Sequence, residues 1–244
     1  MKRERAVKHD DPTLVPEPAK ALRELPRGPF LGSFRAAIAG VMRCVASQRN
    51  MKLHVLSALM VTIVGMALPL DLSTRVALLF AVAIVFFAEI LNTGLEALVD
   101  LFMGEYHRLA MLAKDAAAGG VLVLAVATVL IFAETLWTRW DLVTENLDAV
   151  WRSVTFGVPL VGVEAVGLFV LRRGPLSWFR LLVAALLLTP LVIHSKDPVY
   201  AAVAIGLVLL GFYARHAFPS RTGRGAPARP ERGPDARSRE RSPL

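Results

Sequence analysis

A long apolar run of the chain ends in Glu89-Ile-Leu-Asn92-Thr-Gly-Leu-Glu96-Ala-Leu-Val-Asp100. At about 100° per residue, the four polar side chains lie within about 80° of one another on one face of a helix. Ionisable groups inside an apolar helix are costly and need a partner or a function. The stripe therefore indicates a site for a metal ion or a proton transfer, or else a buried polar seam that only joins helices.

The composition of the chain predicts an all-α membrane protein. Of 244 residues, 55% are hydrophobic, and the mean hydropathy is +0.52, which is more apolar than a soluble domain of this size. The apolar residues also fall into separate runs, each long enough to cross a bilayer. The single cysteine, Cys44, excludes an internal disulfide.

Six spans are predicted, preceded by an amphipathic helix over residues 30–50 that lies on the membrane surface. Pro- and Arg-rich tails at 1–29 and 218–244 have no periodicity and are predicted to be disordered. The six apolar runs cover residues 53–70, 74–103, 114–137, 153–171, 177–194 and 199–217.

The distribution of Lys and Arg supports an even number of spans. With six spans, all basic residues except Arg75, Arg139, Arg152 and Lys196 fall on one side, together with both tails. The positive-inside rule makes that side the cytoplasm. Both termini and the polar end of the acidic stripe are therefore predicted to be cytoplasmic, where ATP is available.

Carboxylates at a membrane surface can bind Mg²⁺, which prefers oxygen ligands, and one carboxylate can accept a proton from a hydroxyl. Lys114, a short distance along the chain, could balance the charge of a polyphosphate. These groups suit phosphoryl transfer from ATP to a lipid alcohol. A proton-coupled transporter would also use buried carboxylates, so the residues alone leave both functions open.

The stripe and the residues after it resemble the prokaryotic integral-membrane diacylglycerol kinase family. The family pattern is Glu-x-x-Asn-(Ser/Thr)-x-x-Glu-x-x-x-Asp, then an acidic-aromatic-His patch and Ala-Lys-Asp, and the spacings here agree without gaps. The resemblance covers about residues 30–138. The junction Arg49-Asn50-Met51-Lys52-Leu53-His54 resembles the Gram-positive branch, which includes undecaprenol kinases.

The resemblance implies an ATP- and Mg²⁺-dependent kinase of diacylglycerol or undecaprenol in the bacterial cytoplasmic membrane. It implies a homotrimer with active sites between subunits, and no nucleic-acid partner. By the same resemblance Glu89 is the proton acceptor, Asn92 a catalytic residue, Asp100 a supporting residue, and Glu96 a metal ligand. The positions that match nucleotide contacts are Glu105, Tyr106, His107, Lys114 and Asp115.

Two features depart from the family. Several members place a second metal-binding Glu where this chain has Gln48, whose amide oxygen is a poorer ligand for Mg²⁺. The chain also continues beyond the kinase domain (30–138) with residues 139–217, which we interpret as a non-catalytic membrane extension. Glu164 in that extension is expected to make a helix-packing hydrogen bond. The alternative to a kinase is an inactive membrane scaffold or a transporter.

Overall fold

The computed structural model describes residues 30–102, 107–170 and 174–218. Every regular element in those ranges is a helix, as predicted. The first part of α1, up to Ala39, belongs to a compact unit separate from the rest, and the packing below concerns residues 40–218. The helices are α1 (Phe30–Ser47), α2 (Arg49–Ala67), α3 (Leu72–Phe102), α4 (Arg108–Thr138), α5 (Trp140–Glu145), α6 (Leu147–Arg152), a π-helical turn (Ser153–Gly157), α7 (Val158–Phe169), α8 (Pro175–Ile193) and α9 (Pro198–Ala217).

Six helical segments of the described chain are long and apolar enough to cross a membrane, so the predicted number of spans is confirmed. They are α2, α3, α4, the continuous segment Leu147–Phe169, α8 and α9. The amphipathic helix α1 precedes them. Its place on a membrane surface stays a prediction.

Several helix boundaries in the structure differ from the predicted ones. Helix α2 begins at Arg49 rather than at residue 53, and α4 begins at Arg108 rather than at Lys114. Arg108-Leu-Ala-Met-Leu-Ala consists of good helix formers, so its polar start does not prevent helix formation. The fourth span begins at Leu147, and the turn Ser153–Gly157 lets the helix continue without a break.

Helix α2 packs against both halves of the chain. Its most extensive partner is α9, with α3 and α7 in smaller contacts. Tyr200 of α9 is fully buried and lies against Gly65 of α2, where a Cβ atom would approach its ring to 2.6 Å. Helices α3 and α4 form the other extensive pair. The division between kinase domain and extension at residue 138 stays a prediction, although α4 does end at Thr138.

The end of the bundle opposite the acidic stripe is joined by ion pairs. Arg139 after α4 pairs with Asp71 before α3, and Arg75 of α3 pairs with Asp197 before α9. The backbone N–H of Lys196 donates to the carbonyl of Met66 at the end of α2. Arg75, Arg139 and Lys196 therefore lie at the same end of the bundle. The charge count predicts this, because it places them on the side of the membrane that has few basic residues.

Glu164 of α7 accepts a hydrogen bond of 2.7 Å from Arg180 of α8, and both side chains are buried. The expected helix-packing role of Glu164 is thus confirmed. The charge count places Arg180 among the basic residues on the cytoplasmic side, outside the spans. In the structure Arg180 instead lies inside α8. Gly167 makes room for it, because a Cβ atom there would lie 2.2 Å from Nη1 of Arg180.

Candidate active site

The polar stripe of α3 changes from buried to exposed along the helix. Glu89 and Asn92 are 2% and 6% exposed, Glu96 is partly buried and Asp100 is exposed. With a rise of about 1.5 Å per residue, Glu89 lies about 25 Å from the start of α3, close to the thickness of the bilayer hydrocarbon of about 30 Å. The stripe therefore begins near the end of a stretch of α3 that is long enough to span a bilayer, and it continues beyond that stretch to the exposed Asp100.

A cavity of about 230 Å³ opens beside the buried end of the stripe, between α2, α3 and α4. Among the described residues, Oε2 of Glu89 and Oδ1 of Asn92 are buried and have no hydrogen-bond partner. Buried polar atoms normally have one, so these two oxygens are available to a substrate hydroxyl. The lining residues are Asn50, Leu53, His54, Glu89, Asn92, Ala118, Val121, Leu122 and Ala125.

Asn50 and His54 enter the cavity from α2, and neither was predicted as a site residue. They are four residues apart and therefore share one face of the helix. The signal was present in the junction Arg49-Asn50-Met51-Lys52-Leu53-His54, which contributed to the family resemblance without being assigned to the site. Their amide and imidazole add hydrogen-bonding groups opposite Glu89 and Asn92.

Helix α1 reaches the site through its buried last turns. Sγ of Cys44 lies 3.2 Å from Oγ1 of Thr93, whose hydroxyl donates to the carbonyl of Glu89 at 2.8 Å. Burial raises the pKa of the Cys44 thiol, against the effect of the Thr93 hydrogen bond, and the carboxylates of Glu89 and Glu96 raise it further. The thiol is therefore neutral at pH 7 and acts as a packing and hydrogen-bonding group against α3.

The predicted metal ligands are Glu96 and Gln48. Oε1 of Glu96 accepts a hydrogen bond of 3.2 Å from the amide of Asn92. Gln48 precedes α2 at its N-cap position and makes no capping hydrogen bond with its side chain. Among the described residues no cluster of three His, Cys, Asp or Glu side chains could hold a metal ion. This donor set fits Mg²⁺ that arrives with ATP, since Mg²⁺ is usually held by one or two carboxylates and by substrate phosphates.

The predicted nucleotide contacts that the structure describes, His107, Lys114 and Asp115, lie just before or within the first turns of α4. His107 occupies its N-cap position, Asp115 is exposed, and Lys114 forms an ion pair with Asp100 at the exposed end of the stripe. Glu105 and Tyr106 lie outside the described residues. The structure thus joins Lys114 to the stripe through Asp100, a contact that the sequence did not reveal.

A larger groove, of about 410 Å³, lies at the opposite end of the bundle. It runs between α2, α4 and the segment from Trp140 to Val161, and apart from Ser153 its lining is almost entirely apolar. It carries no group suited to proton or phosphoryl transfer. The smaller cavity beside Glu89, which contains the buried end of the polar stripe, is the candidate active site.

Known proteins resemble the first half of the chain. A sequence profile described as prokaryotic diacylglycerol kinase matches residues 35–136. An undecaprenol kinase of Bacillus subtilis is 36% identical over 102 residues, which cover 83% of that protein and 42% of this chain. The chain belongs to the prokaryotic diacylglycerol kinase family. The resemblance inferred from the stripe is thereby confirmed.

Two other members of the prokaryotic diacylglycerol kinase family extend the comparison. A diacylglycerol kinase of Synechocystis is 42% identical over 103 residues, covering 59% of its length and 42% of this chain. A diacylglycerol kinase of Escherichia coli is 34% identical over 84 residues, covering 69% of its length and 34% of this chain. The chain thus spans less than two thirds of the Synechocystis relative. No solved structure matches.

Proposed function

We propose that the chain transfers the γ-phosphoryl group of ATP to the hydroxyl of a membrane lipid alcohol, either diacylglycerol or undecaprenol. The observation that carries this proposal is the buried Glu89 carboxylate, whose Oε2 has no hydrogen-bond partner among the described residues and which lines a cavity together with Asn50, His54 and Asn92. Family membership supports it, because relatives with each of these two substrate names match the chain.

In this reaction the oxygen of the lipid hydroxyl attacks the γ-phosphorus of ATP, and Glu89 accepts the proton of that hydroxyl. The new phosphorus–oxygen bond forms while the bond to the bridging oxygen of the β-phosphate breaks, and ADP leaves. The side-chain amide N–H of Asn92 donates to Oε1 of Glu96 and so helps to hold the predicted metal ligand in place. General-base catalysis of this kind contributes about 10²- to 10⁴-fold to the rate.

Mg²⁺ would be held by Glu96, with Gln48 as a weaker second ligand and phosphate oxygens of ATP completing the coordination. When bound, it neutralises charge on the transferring phosphoryl group. Lys114 and His107 at the start of α4 would contact the phosphates of ATP, and Glu105, Tyr106 and Asp115 would contact other parts of the nucleotide. Lys114 would then exchange part of its contact with Asp100 for the nucleotide.

We further propose that the protein resides in the bacterial cytoplasmic membrane as a homotrimer with cytoplasmic termini. The clustering of Arg75, Arg139 and Lys196 at the end opposite the stripe supports this orientation. Helix α4 supports assembly, because Val121 alone among its described residues is buried within one chain. Its apolar surface suits contact with lipid or with a neighbouring subunit.

The deciding experiment incubates the purified chain with Mg²⁺, labelled ATP and each lipid in turn. We expect a labelled lipid phosphate, and we expect Glu89→Gln to reduce its formation by about 10²-fold or more. Glu134→Gln is the matched control, since Glu134 is an exposed glutamate on α4. Full activity of Glu89→Gln would refute the assigned base. Absence of both products with folded protein would favour an inactive scaffold.

A further inference from the structure

A polar cavity of about 480 Å³ lies at the end of the bundle opposite the candidate active site. Its volume falls within the range of small-ligand sites, about 300–1,000 Å³. The end of α5, helix α6 and the connection between α8 and α9 form its walls, and only two of its nine lining residues, Leu147 and Ala149, are apolar. All nine follow residue 136, where the match to the family profile ends. The cavity therefore belongs to the extension.

Charged side chains of both signs line this cavity without pairing. The acids are Glu145 and Asp148, and the bases are Arg152 and Lys196. Asp148 and Arg152 are four residues apart on α6, a spacing that commonly gives an ion pair. In the part of the chain that the structure describes, however, no ion pair includes any of the four side chains. The cavity thus has no net formal charge from these groups, but it presents separate positive and negative ones.

Two hydrogen bonds hold the wall formed by the connection between α8 and α9. The backbone N–H of Lys196 donates to the carbonyl of Met66 at 2.8 Å. Nδ1 of His194 lies 3.0 Å from the carbonyl of Pro190, and because a carbonyl oxygen only accepts hydrogen bonds, Nδ1 is the donor. In the neutral imidazole Nε2 is then an acceptor. The wall thus adds one further acceptor to the two carboxylates of the cavity.

This charge pattern favours a zwitterionic ligand. Arg152 can donate two parallel hydrogen bonds to phosphate oxygens, and Lys196 adds a compact positive charge. Glu145 and Asp148 can accept hydrogen bonds from an ammonium group, which has three donors. A ligand with only a negative charge would be repelled by the two acids, and a ligand with only a positive charge would be repelled by the two bases. A ligand that carries both charges suits all four side chains.

The position of the cavity favours a lipid headgroup as that ligand. The fourth span begins at Leu147, α8 ends at Ile193 and α9 begins at Pro198. The cavity therefore lies where three candidate spans end, which in a membrane is the level of the headgroups. Trp151, which precedes Arg152, is 67% exposed, and tryptophan is enriched at the boundary between membrane and water. The exposed side chain of Leu147 also lines the cavity and offers an apolar contact to the lipid.

We propose that this cavity binds the headgroup of a zwitterionic phospholipid with a primary ammonium group, as in phosphatidylethanolamine. The phosphate contacts Arg152 and Lys196, and the ammonium group contacts Glu145 and Asp148. The proposal does not depend on the proposed kinase reaction, because the two cavities share no lining residue. The extension thus supplies a lipid-binding site that lies wholly outside residues 35–136.

The test measures the thermal unfolding midpoint of the full chain in a neutral detergent with added phosphatidylethanolamine, phosphatidylcholine, phosphatidylglycerol or free phosphoethanolamine. We expect phosphatidylethanolamine to raise the midpoint most, because the quaternary ammonium group of phosphatidylcholine has no N–H to donate and phosphatidylglycerol has no cation. Arg152→Gln and Asp148→Asn should each weaken the apparent affinity for phosphatidylethanolamine by about tenfold, the effect of losing one hydrogen bond to a charged group. Arg152→Lys should retain part of the affinity, since it keeps the charge.

Asp141→Asn is the matched control, because Asp141 is an exposed carboxylate of α5 that does not line the cavity. The readout is the difference between the phospholipids, which a purely structural role of Arg152 or Asp148 would not change. Equal protection by phosphatidylethanolamine and phosphatidylcholine would overturn the proposal, and so would stronger protection by phosphatidylglycerol. An unchanged preference in Arg152→Gln or Asp148→Asn would also overturn it. Equal protection by free phosphoethanolamine would overturn the lipid assignment.

Discussion

The side-chain amide of Asn92 donates a hydrogen bond of 3.2 Å to Glu96, one turn further along α3. Asn92 thereby contacts the predicted metal ligand, and it lies one turn from the predicted base, Glu89, on the same face of α3. Asn92 keeps its other polar atom, Oδ1, buried and unpartnered among the described residues. Its amide N–H is therefore placed to orient Glu96.

Asn92→Ala should lower kcat by about 10- to 100-fold, because a hydrogen bond to a charged group contributes about 1.5–3 kcal/mol. Initial rates at saturating lipid and ATP measure this effect. Asn146→Ala is the control, since Asn146 bonds only to the nearby carbonyl of Leu142 in the part of the chain described. An unchanged kcat in folded Asn92→Ala would show that the contact with Glu96 does not serve the reaction.

Gln48→Glu should tighten the apparent binding of Mg²⁺ by roughly tenfold, because a carboxylate replaces an amide at a predicted ligand position and the charge of the ligands sets cation affinity. The Mg²⁺ concentration that gives half-maximal activity at fixed ATP is the measurement. Ser47→Glu is the control, because it adds the same charge at an exposed neighbouring position. If both variants shift the Mg²⁺ dependence equally, general electrostatic attraction explains the effect and Gln48 is not a ligand.

Gly167→Ala should destabilise the protein by about 1–3 kcal/mol, the usual cost of overpacking a core. A Cβ atom there would lie 2.2 Å from Nη1 and 2.5 Å from Cδ of Arg180, which is fixed by its bond to Glu164. Gly162→Ala on the same helix is the control, since a Cβ atom there meets nothing within 4 Å. Equal unfolding midpoints of the two variants would show that Arg180 moves aside without cost.

Asp197 lies at the end of the bundle opposite the active site. Its ionised carboxylate makes the stability of the folded protein depend on pH. Burial alone would raise the pKa of its carboxyl, but hydrogen bonds from Arg75 and from the backbone of Val199 and Tyr200 outweigh burial and lower the pKa. A pKa that is lower in the folded state stabilises the protein above the ordinary value of about 4. That contribution is lost as pH falls through the folded pKa.

Asp197→Asn should therefore unfold at a lower temperature than the parent chain at pH 7, and the difference should shrink as the pH is lowered below about 4. Unfolding midpoints across that range measure the effect. Asp141→Asn serves as the control, because Asp141 is an exposed carboxylate in α5. A difference that persisted at low pH would mean that the variant acts through packing or through the N-cap of α9 rather than through charge.

The number of spans and the stripe on α3 could be predicted because both depend on spacing along one helix. Helix partners could not, since apolar faces of similar composition fit one another in many ways. Nothing in the sequence of α2 shows that α9 is its main neighbour, and Asn50 and His54 become site residues only when α2 lies beside α3. The buried ion pair of Arg180 with Glu164 could not be predicted for a related reason, because it joins two helices whose contact the sequence does not show.

The packing of α2 against α9 predicts that the extension stabilises the kinase domain. A chain that ends at Thr138 would expose the face of α2 that Tyr200 covers at Gly65, and it would lose the hydrogen bond of 2.8 Å from the Lys196 N–H to Met66. Its unfolding midpoint should fall well below that of a chain ending at Phe218, which retains every described helix. Lipid phosphorylation by the fraction that stays folded should persist, because every assigned site residue and every residue that lines the cavity lies before Thr138. Loss of turnover in a truncated protein that is demonstrably folded would instead show that the extension takes part in the reaction.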